Sequence, residues 1–345
     1  MKAVYIEAHG GTEVLTYGDR PDPVCQPHQV KVQVRAASLN RLDLYTRAGG
    51  RGLRRNFPPP LILGGDCAGE VAEAGSQVRT LKAGDRVVIN PRLTCGQCPQ
   101  CLAGRDDLCP RTQFMGSAID GSYAEFVAVP AANAHVIDPQ VSFEEAAALP
   151  TTFLPVWNML VRRAQLKPWE TVLVLSASAG VGTAAIQVAK RVLGARVIAT
   201  TSTPEKAARA AALGADAVIN YTQEDITEKA KALTGGAGVD VVVDHVGADF
   251  FAKAFAALRP GGRYATCGAT TGLRAELQLG LLFTRQIEII GAFMGNKEDM
   301  RQIVAMLNRG VIKPVVDKVF PLSQAAAAHQ AMEEHQFFGK LVLKP

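Results

Sequence analysis

The chain has 345 residues, with 37 Lys and Arg against 32 Asp and Glu and a formal charge of +5, so it has room for two domains and no electrostatic reason to seek nucleic acid or a membrane surface. The opening MKAVYIEAHGG carries Glu7 and His9 where a secretory leader needs an apolar core, and no run reaches the roughly 18 apolar residues of a membrane span. A soluble, cytoplasmic protein is expected, its seven cysteines reduced or holding metal rather than paired in disulfides.

In chain order, Val30–Arg35 (VKVQVR) alternates as a half-buried strand does, and Val71–Ala74, Arg86–Ile89 and Ala124–Val129 are further short strands among Gly and Pro. Residues 1–132 therefore read as a β-rich, partly open barrel. Within it lies CGQCPQCLAGRDDLC, with Cys95, Cys98, Cys101 and Cys109. Two CxxC steps and a fourth cysteine eight residues on can wrap four thiolates around one tetrahedral ion. Zinc is favoured over an iron–sulfur cluster, one ion per chain, with no open position for chemistry. The other three cysteines, Cys25, Cys67 and Cys267, read as small apolar fillers.

From about residue 133 the texture changes. A helix at Phe143–Leu149, capped by Ser142, precedes Val172–Leu175, a β-branched apolar run too short for a core helix and read as a buried parallel strand. Ala179, Gly180, Val181 and Gly182 then open an alanine-rich helix, and a strand, a tight turn and a helix N-terminus make a site for a pyrophosphate. The dinucleotide fingerprint GxGxxG is incomplete: Ala177 and Ala179 stand where two of its glycines belong, which is tolerable at negative φ. Strand Arg196–Thr200, helix Pro204–Leu213 capped by Thr203, strand Ala217–Asn220, helix Asp225–Thr234, strand Val239–Val243, helix Phe250–Leu258 and strand Gly262–Thr266 follow. This alternation predicts a doubly wound parallel Rossmann sheet, with a dinucleotide at the carboxyl ends of its strands. The domain runs to a strand at Ile287–Phe293, whose Ile287–Ile290 part would close the sheet at an edge without the lysine or proline that protects exposed edges. A homodimer or homotetramer is expected.

A helix at Glu298–Asn308, a second at Gln324–Glu334 and a last strand at Lys340–Leu343 are read as returning to the first domain. The division is thus 1–132 with 294–345 for the β-rich domain and 133–293 for the dinucleotide domain, with a cleft between the lobes.

A β-rich domain with a four-cysteine lobe, the GDRV at Gly84–Val87, the helix from Gly182 through Gln187 and the closing GKLVL at Gly339–Leu343 together resemble the medium-chain dehydrogenase/reductase superfamily over nearly the whole chain. The first domain would then be GroES-like. In the zinc alcohol dehydrogenases of that superfamily three ligands bring a catalytic zinc to the cleft. The matching stretches here, LNRLDLY, LGGDCAG and LPTTF, put Asn40, Gly65 and Thr151 at those positions, none a good zinc ligand. Cys67, Asp66 and Asp43 are near enough in sequence to offer an improvised metal site; the main expectation is none.

The stretch NRLDLY is similar instead to the NxxDxY of quinone oxidoreductases, which implies that Asn40 and Tyr45 face the nicotinamide and serve catalysis, while Asp43 and Asp66 hold loop geometry. The family's nicotinamide-contacting Thr is Pro155 here, and Thr151 or Thr152 is the substitute. At the end of the second strand Thr201 stands where an NAD enzyme has Asp or Glu; with Ser202, Lys206 and Tyr221 this points to NADP(H), Glu205 being the argument against. Val246, Gly268, Ala292 and Met294 complete the implied cofactor set. Arg47, Arg51, Arg54 and Arg55 crowd one loop, either solvated or gripping an acidic or CoA-type substrate, and His245 reads as a structural hydrogen-bonder.

The function expected is NADPH-dependent hydride transfer to a quinone or α,β-unsaturated carbonyl without catalytic zinc. A zinc-dependent alcohol dehydrogenase and a non-catalytic nucleotide-sensing or nucleic-acid-binding protein are the alternatives.

Overall fold

The computed structural model describes residues 1–50, 59–335 and 337–345. It forms two compact units, one made of Met1–Thr151, Asn296–Gly310 and Pro314–Pro345, the other of Thr152–Gly295 and Val311–Lys313.

The first unit holds β1 (Lys2–Ile6), β2 (Thr16–Asp19), β3 (Gln29–Ser38), β4 (Leu61–Ile62), β5 (Asp66–Ala74), β6 (Arg86–Ile89), β7 (Arg92–Leu93), β8 (Gln113–Phe114), β9 (Phe126–Pro130) and β10 (Ala134–Val136). The second holds β11 (Thr171–Val174), β12 (Arg196–Thr201), β13 (Ala217–Asn220), β14 (Val239–Asp244), β15 (Leu258–Thr266) and β16 (Glu288–Gly291), after which β17 (Val316–Pro321) and β18 (Lys340–Lys344) belong to the first unit again.

In the first unit the strand order is β10-β6-β5-β3-β18-β17 with β9 also on β3, so the sheet curls without closing, and β2-β1-β4 forms a smaller sheet. Val30, Val32 and Val34 of β3 point into a core shared with Val71, Val87, Ile89, Leu341 and Leu343, as the period-2 pattern requires. The helix α1 (Arg41–Ala48) follows β3 directly and is closed at Gly49, whose φ of 66° suits a residue without Cβ. Downstream come α2 (Pro99–Leu102), α3 (Phe143–Ala147) and α4 (Pro150–Trp157). The Ser142 cap forms as expected, its hydroxyl accepting the Glu145 N–H at 3.2 Å. With Ala146 and Ala147 wholly buried, α3 packs on β3 and β5 in the first unit, so residues 133–151 do not join the dinucleotide domain to which the sequence pattern assigned them.

The second unit is a six-stranded, all-parallel sheet in the order β13-β12-β11-β14-β15-β16, the doubly wound Rossmann arrangement. Its helices are α5 (Gly180–Gln187), α6 (Pro204–Leu213), α7 (Ile226–Leu233), α8 (Ala248–Ala256) and α9 (Leu279–Thr284), while α10 (Lys297–Asn308) and α11 (Ala325–Glu333) lie in the first unit. The start of α8, two residues ahead of the expected one, is set by Asp244, whose Oδ1 accepts the N–H of Val246 at 2.6 Å and of Gly247 at 3.0 Å. Gly247 turns the chain at a φ of 96°, open to glycine alone among common residues.

The edge strand β16 keeps Ile290 buried but exposes 43% of Ile289, and the flanking Leu279, Phe283 and Phe293 are 64%, 71% and 60% exposed. Unpaired backbone groups beside large apolar side chains favour a partner strand. Sedimentation at micromolar concentration is expected to show a dimer or tetramer, and Ile289→Lys to shift it toward monomer. A wild-type protein that stays monomeric would remove this expectation.

Candidate active site and metal centre

The four-cysteine lobe is built locally. Cys98 caps α2 and accepts the Cys101 N–H at 3.5 Å, while Cys109 Sγ accepts the Cys95 N–H at the same distance. The sulfur separations are 3.8 Å for Cys95–Cys101, 3.9 Å for Cys98–Cys109 and 3.5 Å for Cys95–Cys109. Zinc–sulfur bonds of about 2.3 Å at tetrahedral angles put sulfurs about 3.8 Å apart, so the cage is sized for zinc. Backbone N–H groups of Gln97 and Cys98 pull the Cys95 thiol down to about 6, and the Arg111 guanidinium donates to its sulfur at 3.2 Å. These four cysteines are the one metal-capable cluster among the described residues.

At the head of α5 neither Ala177 nor Ala179 takes a positive φ, as their place in the incomplete fingerprint requires. The left-handed angle falls on Ser176, φ 49°, whose N–H is held by Thr200 Oγ1 at 3.0 Å, and Ala179 caps the helix at φ −79°. Gly182 is required, since a Cβ there would lie 2.2 Å from Ser176 O. Gly180 and Val181, with Ala179, Thr201, Ser202, Tyr221, Val246, Gly268 and Ala292, all sit at or just beyond the carboxyl ends of sheet strands. Lys206 lies in the first turn of α6, and Thr152 is buried in α4. Met294 takes a φ of 55° while its carbonyl accepts the Asn158 amide at 2.9 Å. Thr201 is 1% exposed and its hydroxyl has no partner among the described residues, an orphaned donor and acceptor where a ribose hydroxyl would be expected in this fold. A helix N-terminus free of side-chain caps, a close-packed glycine and an unpaired hydroxyl fit a dinucleotide.

The stretches LNRLDLY, LGGDCAG and LPTTF do converge, around a carboxylate rather than a metal. Asp66, wholly buried at the start of β5, accepts Thr151 Oγ1 at 2.7 Å, Asn40 Nδ2 at 2.9 Å and the Thr151 N–H at 3.2 Å. The ammonium of Lys340, on β18, donates to Asn40 Oδ1 at 2.5 Å and to Leu39 O, and lies 3.9 Å from Asp66. Asp43 accepts the Asn40 N–H at 2.8 Å and the Tyr123 hydroxyl at 3.1 Å. Burial pushes Asp66 up and Lys340 down, each opposed by the other's charge. Asp43, with less compensation and Asp66 nearby, is pushed by burial up to about 7. The improvised set of Asp43, Asp66 and Cys67 is not assembled as a metal site: organic donors take up both carboxylates, and burial raises the Cys67 thiol.

Asn40 is drawn into this network and 8% exposed, its amide hydrogens facing Asp66 and Ser38 O rather than open space. Tyr45 is half-buried on α1, not on a loop; Asn40 and Asp43 in a capping-box spacing were the overlooked helix signal. Arg47, expected on a solvated or substrate-gripping loop, is 4% exposed, ion-paired to Glu333 and 3.2 Å from His329 Nδ1, so it anchors α1 to α11. Arg51, Arg54 and Arg55 lie outside the described residues. His245 donates from Nε2 to Leu175 O at 3.0 Å, a structural bond. Lys340 was read only as part of the closing GKLVL strand and Tyr123 not at all, since the burial of either side chain is set by distant residues.

Residues 26–139 match the alcohol dehydrogenase GroES-like domain and residues 180–309 the zinc-binding dehydrogenase family. The chain is 32% identical over 337 residues to an NAD-dependent alcohol dehydrogenase of Sulfurisphaera tokodaii, covering 96% of each, and 31% identical over 352 residues to quinone oxidoreductase 1 of Escherichia coli, covering 98% of this chain and 97% of that one. It belongs to the medium-chain dehydrogenase/reductase superfamily. A crystal structure of an NAD-dependent alcohol dehydrogenase superposes over all of both chains with a TM-score of 0.96 at 45% identity. As a member of this superfamily the protein is an oxidoreductase using a nicotinamide cofactor, and its cysteine cage is suited to a structural zinc.

Chelation of zinc from this dehydrogenase, or Cys98→Ser, is expected to lower its melting temperature or subunit assembly while turnover per folded, assembled molecule is kept. Loss of turnover in a folded, assembled Cys98→Ser protein would give the lobe a catalytic part. A second expectation concerns Asp43. Its folded carboxyl titrates near 7 against an ordinary 3.8, so the native state holds the extra proton between those values. Stability therefore falls as pH rises from about 4 to 7 and levels off above. Urea titrations at pH 5 and 8 should show this fall, and Asp43→Asn should flatten it.

Proposed function

We propose that the enzyme transfers hydride from NADPH to an electron-poor carbon of a quinone or α,β-unsaturated carbonyl, without a catalytic metal. The observation that carries this reading is the side-chain set at the three metal-ligand positions: Asn40, Gly65 and Thr151 offer no imidazole or thiolate, and Asp66 beside them is taken up by Thr151, Asn40 and the charge of Lys340. A simple alcohol or ketone needs strong stabilisation of the charge that changes on its oxygen, which an open zinc supplies. A conjugated acceptor delocalises that charge, and hydrogen bonds suffice.

The bound cofactor, when reduced, supplies the hydride. The residues that would hold it are Ala179 to Gly182 at the pyrophosphate and Thr201, Ser202, Lys206 and Tyr221 at the adenosine end, with Thr152, Val246, Gly268, Ala292 and Met294 toward the nicotinamide. Thr201, which ends β12, has no charge to repel a 2′-phosphate, and Lys206 brings a positive one. The Tyr45 hydroxyl is assigned the hydrogen bond to the developing oxyanion, while Asn40 acts by holding Asp66.

Turnover of NADPH and NADH with a panel of enones, quinones, aldehydes and alcohols tests the reading. Enone or quinone reduction with NADPH preferred is expected, with Lys206→Ala weakening NADPH selectively and Tyr45→Phe slowing enone reduction about 10²-fold to 10³-fold at nearly unchanged NADPH affinity. Efficient oxidation of simple alcohols with two zinc ions per chain would establish the alcohol dehydrogenase reading instead, and comparable kcat/KM for both cofactors would remove the NADP(H) assignment.

A further inference from the structure

We propose that Thr200 and His245 are positioning residues of the cofactor site: from β12 and from the end of β14 they clamp the turn at residues 175–177 in the shape that presents the head of α5 to a dinucleotide pyrophosphate. This rests on the placement of the pyrophosphate at Ala179 to Gly182 given above, and not on the choice of substrate or of NADP(H) over NAD(H), since both cofactors carry that group.

In the sheet β11 lies between β12 and β14, and the turn that follows it is tied to both. Toward β12, Thr200 Oγ1 accepts the Ser176 N–H at 3.0 Å and Thr200 O accepts the Ala177 N–H at 2.8 Å. Toward β14, Leu175 donates its N–H to Val243 O at 3.1 Å, and its carbonyl takes the Nε2 hydrogen of His245 at 3.0 Å. His245 is fixed in turn, its own carbonyl accepting the Thr270 hydroxyl at 2.8 Å. Thr200 and His245 supply the side-chain members of this set, the ones that a substitution can delete.

The conformation of Ser176 gives the clamp its consequence. Its φ of 49° lies in the left-handed region, where a residue with a Cβ is strained and glycine is not. Thr200 is wholly buried in an apolar strand, where a hydroxyl is costly unless bonded, and its bond goes to the strained residue. The Ser176 carbonyl accepts the Ala179 N–H at 3.1 Å, and Gly182 packs so close to that carbonyl that a Cβ would lie 2.2 Å from it. The angle at Ser176 therefore sets where the first turn of α5 stands. Leu175 and Ala177 are wholly buried whereas residues 178–181 are half-buried, so the clamped residues act through those that follow them. A helix start without a side-chain cap meets phosphate through backbone N–H groups, and a turn held in shape before binding spares the cost of ordering it.

Fluorescence titration with NADPH and with NADH, on zinc-loaded protein checked by circular dichroism, tests the clamp. Thr200→Val, which keeps shape and loses the acceptor, is expected to weaken both cofactors by the same factor, about tenfold, the scale of strain at a left-handed residue, raising the cofactor KM rather than lowering kcat at saturation. Thr200→Ser is expected to keep the affinity, and Ser176→Gly, which needs no clamp, to restore most of it when combined with Thr200→Val. General damage to the fold would not be repaired by removing a Cβ at Ser176. His245→Leu is expected to weaken both cofactors, and His245→Gln, which still offers an N–H, to weaken them less. Gly180→Asp, which sets a carboxylate beside the assigned pyrophosphate, is expected to weaken both as well. Affinity unmoved in Gly180→Asp would remove the placement and the proposal with it. Affinity lost there but unmoved in Thr200→Val or His245→Leu, equal losses in Thr200→Val and Thr200→Ser, or no recovery with Ser176→Gly would each overturn the clamp itself.

Discussion

The β-rich unit is organised around a buried ion pair. Asp66 and Lys340 are each almost free of solvent and 3.9 Å apart, and an unpaired charge in either place would cost several kcal/mol. The structure offsets that cost with hydrogen bonds: Asp66 takes three from Thr151 and Asn40, and the ammonium is held by Leu39 O and Asn40 Oδ1. Because the partners come from the end of β3, the start of β5, the head of α4 and β18, the network fixes how these elements meet. Replacing one partner alone would leave the others buried and unsatisfied, a larger penalty than the net worth of any one bond.

The arrangement also accounts for what the site is chemically. A zinc centre concentrates charge in one ion held by imidazole and thiolate. Here the convergence of the three stretches is occupied by a carboxylate, an ammonium, an amide and a hydroxyl that bond one another. The dinucleotide unit uses a separate set of constraints. Ser176 accepts a left-handed angle because Thr200 holds its N–H, and Gly182 lets α5 approach within reach of the Ser176 carbonyl. The cysteine lobe is a third, local device, suited to a metal that organises a loop with little apolar core of its own.

Much of this was legible in the sequence for one reason: it depends on local spacing. The alternation of VKVQVR, the apolar runs separated by helices, the cap at Ser142 and the CxxC steps each encode an element within about fifteen residues, and hydrophobic period and cap chemistry read them directly. The Rossmann order and the four-thiolate cage follow from such patterns. Where local rules conflict the reading slipped: α1 was taken for a loop because its apolar face is short, although Asn40 and Asp43 carry a capping signal, and residues 133–151 were assigned by position to a domain on which α3 does not pack.

What tertiary structure alone decided is which distant polar residues share a site. Sequence reasoning placed Asn40, Gly65 and Thr151 at three corresponding positions and could say that none suits zinc, yet Lys340 is 300 residues from Asn40 and stands in a strand pattern that gives no hint of its ammonium. Likewise Arg47, charged and beside other arginines, looked solvated until α11 supplied Glu333 and His329. Burial of a charge is a property of the packed fold and its long-range partners, and no periodicity within a segment records it.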